Sequence, residues 1–259
     1  MTRPIRIAVQ LHPQHADYSQ LRDAVMRAEE GGADVVMNWD HFFPLYGDPD
    51  GKHFECWTML GAWAEQTERV EFGALVTGGG YRNPDLLADM ARTIDHISGG
   101  RFILGMGAGW FEKDYTEYGY EFGTAGSRLN LFAEYMDRID ARLAKLNPQP
   151  NRHIPVLIGG GGEKKTLRQV AEHGDIWHSF SDLDTYRRKV GILEGHCADV
   201  GRDPAEIEHS TELGDLDEAA VNAIADAGVT LFTMGVGGPE YDLAKLRQWT
   251  AWRDARNAG

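Results

Sequence analysis

The chain has 259 residues, 42% of them hydrophobic and 25% charged, with a formal net charge of −14 at pH 7. That length supports one sizeable core, and the charge disfavours nucleic acid and anionic lipid surfaces while still admitting an anionic small molecule wherever basic groups gather. Cys56 and Cys197 are too few for a disulfide framework and form no CxxC pair. No apolar stretch reaches the roughly 18–20 residues of a membrane helix, and the start "MTRPIRIAVQLHP" carries no cleavage signal, so a soluble cytoplasmic protein is expected.

In chain order the short apolar runs are "IRIAVQL" (5–11), "ADVVMNW" (33–39), "VEFGALVT" (70–77), "RFILGMG" (101–107), "PVLIGG" (155–160), "DIWHSF" (175–180), "IEHSTEL" (207–213) and "TLFTMGV" (230–236). Amphipathic stretches such as "SQLRDAVMRAEEGG" and "DLLADMARTIDHISGG" lie between them, and several end in Gly, a helix stop. Eight strand–helix units predict a (β/α)8 barrel occupying residues 1–259 as one α/β domain. A doubly wound open sheet would usually carry a Gly-rich first turn, and "LHPQHADYS" has no glycine. The Pro/Asn-rich connection "KLNPQPNRHIP" (145–155) is too short to separate domains.

Barrel enzymes build their sites at the C-terminal strand ends. There the second run, "VVMNWDHFFP", passes from core residues to Asp40 and His41. Glycines crowd the same rim: 78–80 after the third run, 105, 107 and 109 around the fourth, 159–162 after the fifth, and 235, 237 and 238 after the eighth. Such clustering lets backbone approach a ligand closely and suggests a large flat one lying against main chain. In "GGGGEKKTL" the amides of a helix N-terminus form an anion site, and Lys164 and Lys165 are expected in the first helical turn, where a bound phosphate would offset their repulsion from the helix dipole.

No lysine falls inside an apolar run, which disfavours a Schiff-base aldolase. His12, His41, His178 and His209 near strand ends admit a metal-dependent barrel hydrolase, although no HxH pair is present. No GxSxG motif occurs.

The segments "AEEGGADVVMNWDHFF", "AEQTERVEFGALVTGGGYRNPDLLADMARTIDHISGGRFILGMGAGWFEKDY" and "IPVLIGGGGEKKTLRQVAEHGDIWH" resemble the luciferase-like monooxygenase family, in particular its coenzyme F420-dependent branch. The resemblance covers about residues 5–180 well and the rest weakly. It implies a TIM barrel holding a flavin or deazaflavin at its mouth, with the ring near a bulge in the third strand that contains a non-prolyl cis peptide between Leu75 and Val76, and with Thr77 beside the ring. It also implies that Gly107, Ala108 and Gly109 border the ring, and that Gly159, Gly160, Gly161 and Ser179 receive the phosphate. His41 falls at the family's acid/base position, with Asp40 expected to orient or tune it.

The implied activity is hydride transfer between F420 and a small organic substrate. The alternatives are a two-component monooxygenase using reduced FMN, the metal-dependent hydrolase, and a non-catalytic deazaflavin-binding protein. A homodimer and a separate reductase or dehydrogenase supplying reduced cofactor are implied partners. Two departures bear on the substrate. Trp110 stands where members that oxidise a sugar phosphate carry a glutamate proton donor, and both the 142–154 connection and the region after the seventh run are shorter than usual.

Overall fold

Runs of β-branched and aliphatic residues form strands buried on both faces, as a parallel sheet covered by helices requires. The structure is a computed structural model describing residues 3–180 and 182–259. The strands are β1 (Arg6–Leu11), β2 (Val35–Asn38), β3 (Glu71–Ala74), β4 (Thr77–Gly78), β5 (Phe102–Gly107), β6 (Val156–Gly159), β7 (Ile176–His178), β8 (Glu208–Glu212) and β9 (Val229–Val236). They pair in the order β3-β2-β1-β9-β8-β7-β6-β5-β4, every neighbour parallel, and a further β3–β5 pairing closes the barrel. The expected (β/α)8 barrel is therefore present. Its third strand is split into β3 and β4, and the intervening Leu75–Val76 peptide is cis, as the family resemblance implies.

Among the described residues the outer ring comprises α1 (Tyr18–Glu30), α2 (Cys56–Gln66), α3 (Pro84–Ile97), α4 (Glu112–Tyr118), α5 (Ala125–Leu143), α6 (Thr166–His173), α7 (Leu183–Val200), α8 (Glu218–Asp226) and α9 (Ala244–Ala258). Local chemistry sets several of their starts. Glu55 caps α2 by accepting from the amides of Trp57 and Thr58, and Asn83 caps α3 just ahead of Pro84. No helix among the described residues is long and apolar enough to cross a membrane.

The interior is layered. At the N-terminal end Arg6 fills the barrel, its guanidinium bonded to Glu208 and Glu71, with Arg152 adding a second contact to Glu71. Above it lies a compact apolar layer that includes Ala8, Val35, Ile103, Leu157, Ile176 and Leu231. Bulk side chains thus seal the lower barrel, and only the C-terminal mouth remains for chemistry. Replacing Arg6 with Ala strands the Glu208 carboxylate in a site with little access to water and leaves Glu71 with Arg152 alone. It should destabilise the fold by about 3 kcal/mol, the lower end of the cost of breaking a buried ion pair, measured as a lowered urea midpoint with an unchanged slope.

Candidate active site

Adjacent residues of an extended segment point to opposite sides, and this separates Asp40 from His41. Asp40 is buried and accepts a two-pronged ion pair from Arg82 (2.6 and 2.9 Å) and the Gly78 amide (3.0 Å). Arg82 also donates to Glu55. Burial raises the Asp40 carboxyl while Arg82 and the Gly78 amide act against it, and the same ion pair holds the guanidinium above its usual range. The expected Asp40–His41 pairing is not formed. Asp40 instead ties the end of β2 to β4 and to the segment leading into α3.

The partner of His41 is Asp114, two residues into α4. The imidazole Nδ1 lies 2.6 Å from Asp114 Oδ2, and the same carboxylate accepts from Tyr81 Oη (2.8 Å) and the Phe42 amide (3.0 Å). With Nδ1–H donating to Asp114, Nε2 is the nitrogen left to exchange a proton. Burial and the neighbouring Asp114 push the Tyr81 phenol far up, so it serves as a donor and keeps its proton. Trp110 and Phe111 stand edge-on to the His41 ring, each 5.6 Å away between centroids, and Trp110 is 63% exposed. The sequence quotes Asp114 within "GWFEKDY" and Arg82 within "GGGYRNPD", both just beyond strand ends. Their position on the rim was the available signal.

The glycine rim has a different use from the one expected of it. Val76 turns inward, and side chains built on Gly107 and Gly159 would approach its methyls to 2.5 and 2.9 Å. One on Gly105 would meet the Ala74 carbonyl at 1.8 Å, and one on Gly109, at φ +78°, would strike the Tyr115 hydroxyl. Much of the glycine wall therefore accommodates the chain's own bulge, leaving less of it for a ligand. Thr77 is buried beside that bulge, and its Oγ1 is bonded by no protein group. Ala108 and Gly109 follow β5 at the rim.

The loop after β6 also needs correcting. The helix begins at Thr166, so Lys164 and Lys165 precede its first turn, with Lys165 at the N-cap. Lys165 donates to the Gly126 carbonyl and Asn130 on α5, and Lys164 is exposed. The cation over the loop is Lys189 of α7: a side chain on Gly161 would lie 2.3 Å from its Nζ and 3.2 Å from Ser179 Oγ. Ser179 stands at the end of β7, its amide bonded to the Ser210 carbonyl.

On the neighbouring strand end His12 stacks on Trp39 (centroids 4.4 Å apart), which also meets the His41 ring edge-on, and shares Nδ1 with the Tyr46 hydroxyl. Burial lowers the pKa values of His12, His53 and His178 to about 4, leaving these rings neutral at pH 7. Among the described residues no group of three or more His, Cys, Asp or Glu side chains is arranged to hold a metal. Two surface cavities, one between α1 and α9 and one around the N-terminal barrel end, are lined by none of His41, Asp114, Val76 or Lys189.

The sequence matches the family model for luciferase-like monooxygenase over residues 1–214. It is 29% identical to pyrimidine monooxygenase RutA of Allorhizobium ampelinum (69% of this chain, 55% of that protein). It is 27% identical to the F420-dependent glucose-6-phosphate dehydrogenase of Rhodococcus erythropolis (82% and 69%). The chain covers 64% of the length of some other curated relatives that it matches. In fold it is similar to an F420-dependent secondary alcohol dehydrogenase solved with an F420–acetone adduct, with TM-score 0.83 at 16% identity, covering 96% of this chain and 98% of that one.

Replacing Asp40 with Asn keeps the side-chain shape but removes the buried partner of Arg82, leaving its charge only the more exposed Glu55. It should lower stability by about 3 kcal/mol, seen as a lower melting temperature. Arg82→Met combined with Asp40→Asn should recover part of that loss, which would identify Asp40 as half of a structural ion pair.

Proposed function

The chain belongs to the luciferase-like monooxygenase family, and within it we propose that the protein is an F420-dependent oxidoreductase. In this reading it moves a hydride between the deazaflavin and a small organic substrate at the barrel mouth. The observation that carries the reading is the His41–Asp114 pair at the barrel mouth, a group suited to proton handling on the same rim as the break between β3 and β4. Similarity to F420-dependent relatives supports the choice of cofactor.

The residues present fit such a group at two places. Thr77 offers a buried hydroxyl without a protein partner beside the bulge, and Gly107, Ala108 and Gly109 would border the ring. The Gly159–Gly161 turn, with Ser179 and the Lys189 cation beside Gly161, would receive the phosphate, although the Gly160 amide already donates to the His178 carbonyl. Bound there, the deazaflavin supplies the two-electron hydride chemistry. Asp114 holds the Nδ1 proton of His41, so that Nε2 can deliver a proton to the substrate oxygen or remove one from it. Trp110 and Phe111 limit water around that nitrogen. A separate reductase or dehydrogenase would regenerate the cofactor, and a homodimer is part of the proposal.

A flavin-dependent monooxygenase is the second reading, favoured by the similarity to pyrimidine monooxygenase RutA. Titrating the purified protein with oxidised and reduced F420 and FMN separates the two. The deazaflavin should bind at least about tenfold more tightly, a difference of about 1.4 kcal/mol, and preferential binding of reduced FMN would overturn the proposal. In the same assay Lys189→Ala should weaken F420 binding and flatten its salt dependence. The Lys164→Ala, Lys165→Ala double variant should do less, because Lys165 is engaged with α5.

His41→Asn retains hydrogen bonding but does not titrate near neutrality. It should leave F420 affinity and melting temperature nearly unchanged while lowering turnover roughly 10²–10⁴-fold, the usual contribution of general acid–base catalysis. Normal turnover in that variant would show that His41 belongs to the scaffold.

A further inference from the structure

The upper barrel has two unlike walls. Around β4, β5 and β6 the inward surface is Val76 and glycine. On β7, β8, β9 and β1 the same level carries His178, Ser210, Glu212, Thr233 and His12. Strand register puts them there. Leu231 belongs to the interior layer, so Thr233 and Gly235 follow it inward at period two, and Glu212 is the cross-strand partner of Thr233. His12 Nε2 and Glu212 Oε1 converge on one point, since a side chain built on Gly235 would lie 2.9 Å from the first and 3.4 Å from the second.

The neighbouring carboxylates of the barrel interior and mouth are compensated. Glu208 is bonded to Arg6, Asp40 is paired with Arg82, and Asp114 accepts three donors. Glu212 has no ion pair or side-chain hydrogen bond among the described residues, and its half-buried carboxyl is raised by burial with no charged neighbour contributing. Next to it Thr233, 2% exposed, has an Oγ1 with no hydrogen-bond partner among the described residues. His12 is neutral and brings no positive charge, but with Trp39 and Tyr46 it makes the flank aromatic. A lone carboxylate, a spare hydroxyl and aromatic faces together match an ammonium group, which supplies the missing charge, donates to the hydroxyl oxygen and is attracted by the rings.

We propose that Glu212, Thr233 and His12 form a subsite for a protonated amino group of the substrate, on the β8–β9–β1 side of the mouth and separated from His41 by Trp39. The inference rests on the mouth being the substrate site, as read above. It deepens that reading by naming the class: an amine whose nitrogen is gripped at β8 and β9 while a separate carbon meets the proton-handling pair. The ammonium is a recognition group and does not itself react.

Isosteric probes test this. Benzylamine, benzyl alcohol and benzoate are titrated calorimetrically at neutral pH into the wild type and Glu212→Gln, with F420 affinity and melting temperature measured on both. Benzylamine should bind at least about tenfold more tightly than either analogue, as one charge-assisted hydrogen bond allows, and Glu212→Gln should abolish that preference without altering F420 affinity. Should Glu212→Gln not fold, Thr233→Val should weaken benzylamine several-fold and leave benzyl alcohol closer to its wild-type affinity. Equal binding of amine and alcohol, no measurable amine binding, or a preference that survives Glu212→Gln would overturn the subsite. A Glu212-dependent amine preference in a protein that does not bind F420 would retain the subsite and remove the deazaflavin reading.

Discussion

The site depends on room for one side chain, Val76. The third strand stops at Ala74 and resumes at Thr77, and the interruption directs Val76 into a wall with no Cβ atoms at 105, 107 and 159. Any side chain there would collide with the Ala74 carbonyl or with Val76 itself. Because the notch exists, β4 can re-pair with β5, bring the Gly78 amide to Asp40 and let the Gly79 amide reach the Gly107 carbonyl. Tyr81 then follows closely enough to donate to Asp114, and Asp114 holds His41. Packing of one valine against three glycines is thus linked through short hydrogen bonds to the orientation of the imidazole.

The barrel was legible because its signals are local. Alternating apolar runs and Gly-terminated amphipathic stretches mark eight strand–helix units, and each run contains an observed strand. The break in the third strand was legible only through family resemblance, since "FGALVT" reads by pattern as one continuous strand. The proton-handling pair was half legible. His41 was placed at the right strand end, but its sequence neighbour was taken for its partner. The structural partners lie 42 positions from Asp40 and 73 from His41, and no local pattern reports contacts made by chain closure over such distances.

The glycines and lysines show a related limit. A glycine cluster signals close approach without saying what approaches, and here the occupant at several positions is Val76 or Tyr115. Lys164 and Lys165 drew attention by adjacency to "GGGG", whereas the amine nearest Gly161 comes from Lys189 on the next helix. In a βα barrel successive loops meet at the mouth, so the charge serving one loop often comes from the following unit. The same geometry joins the first two loops, where Gln14 accepts from the Leu45 amide and donates to the Tyr46 carbonyl, placing Tyr46 against His12.

Charge across the mouth is then distributed unevenly, and that distribution follows from which carboxylates have partners. Asp40 is spent on Arg82, so it contributes rigidity rather than acidity. Asp114, fully buried with three donors, has no lone role as an acid and acts through the imidazole it orients. At position 110, where the family resemblance leads one to look for a glutamate in sugar-phosphate-oxidising members, this chain has an exposed indole edge-on to His41. An indole neither gives nor takes a proton near neutrality. In the proposed function, proton transfer on this side of the mouth falls to His41, beside a less polar surface than a sugar phosphate would call for. In the same reading polar recognition falls to the β8–β9 side, where the Glu212 carboxylate and the Thr233 hydroxyl have no side-chain partner among the described residues.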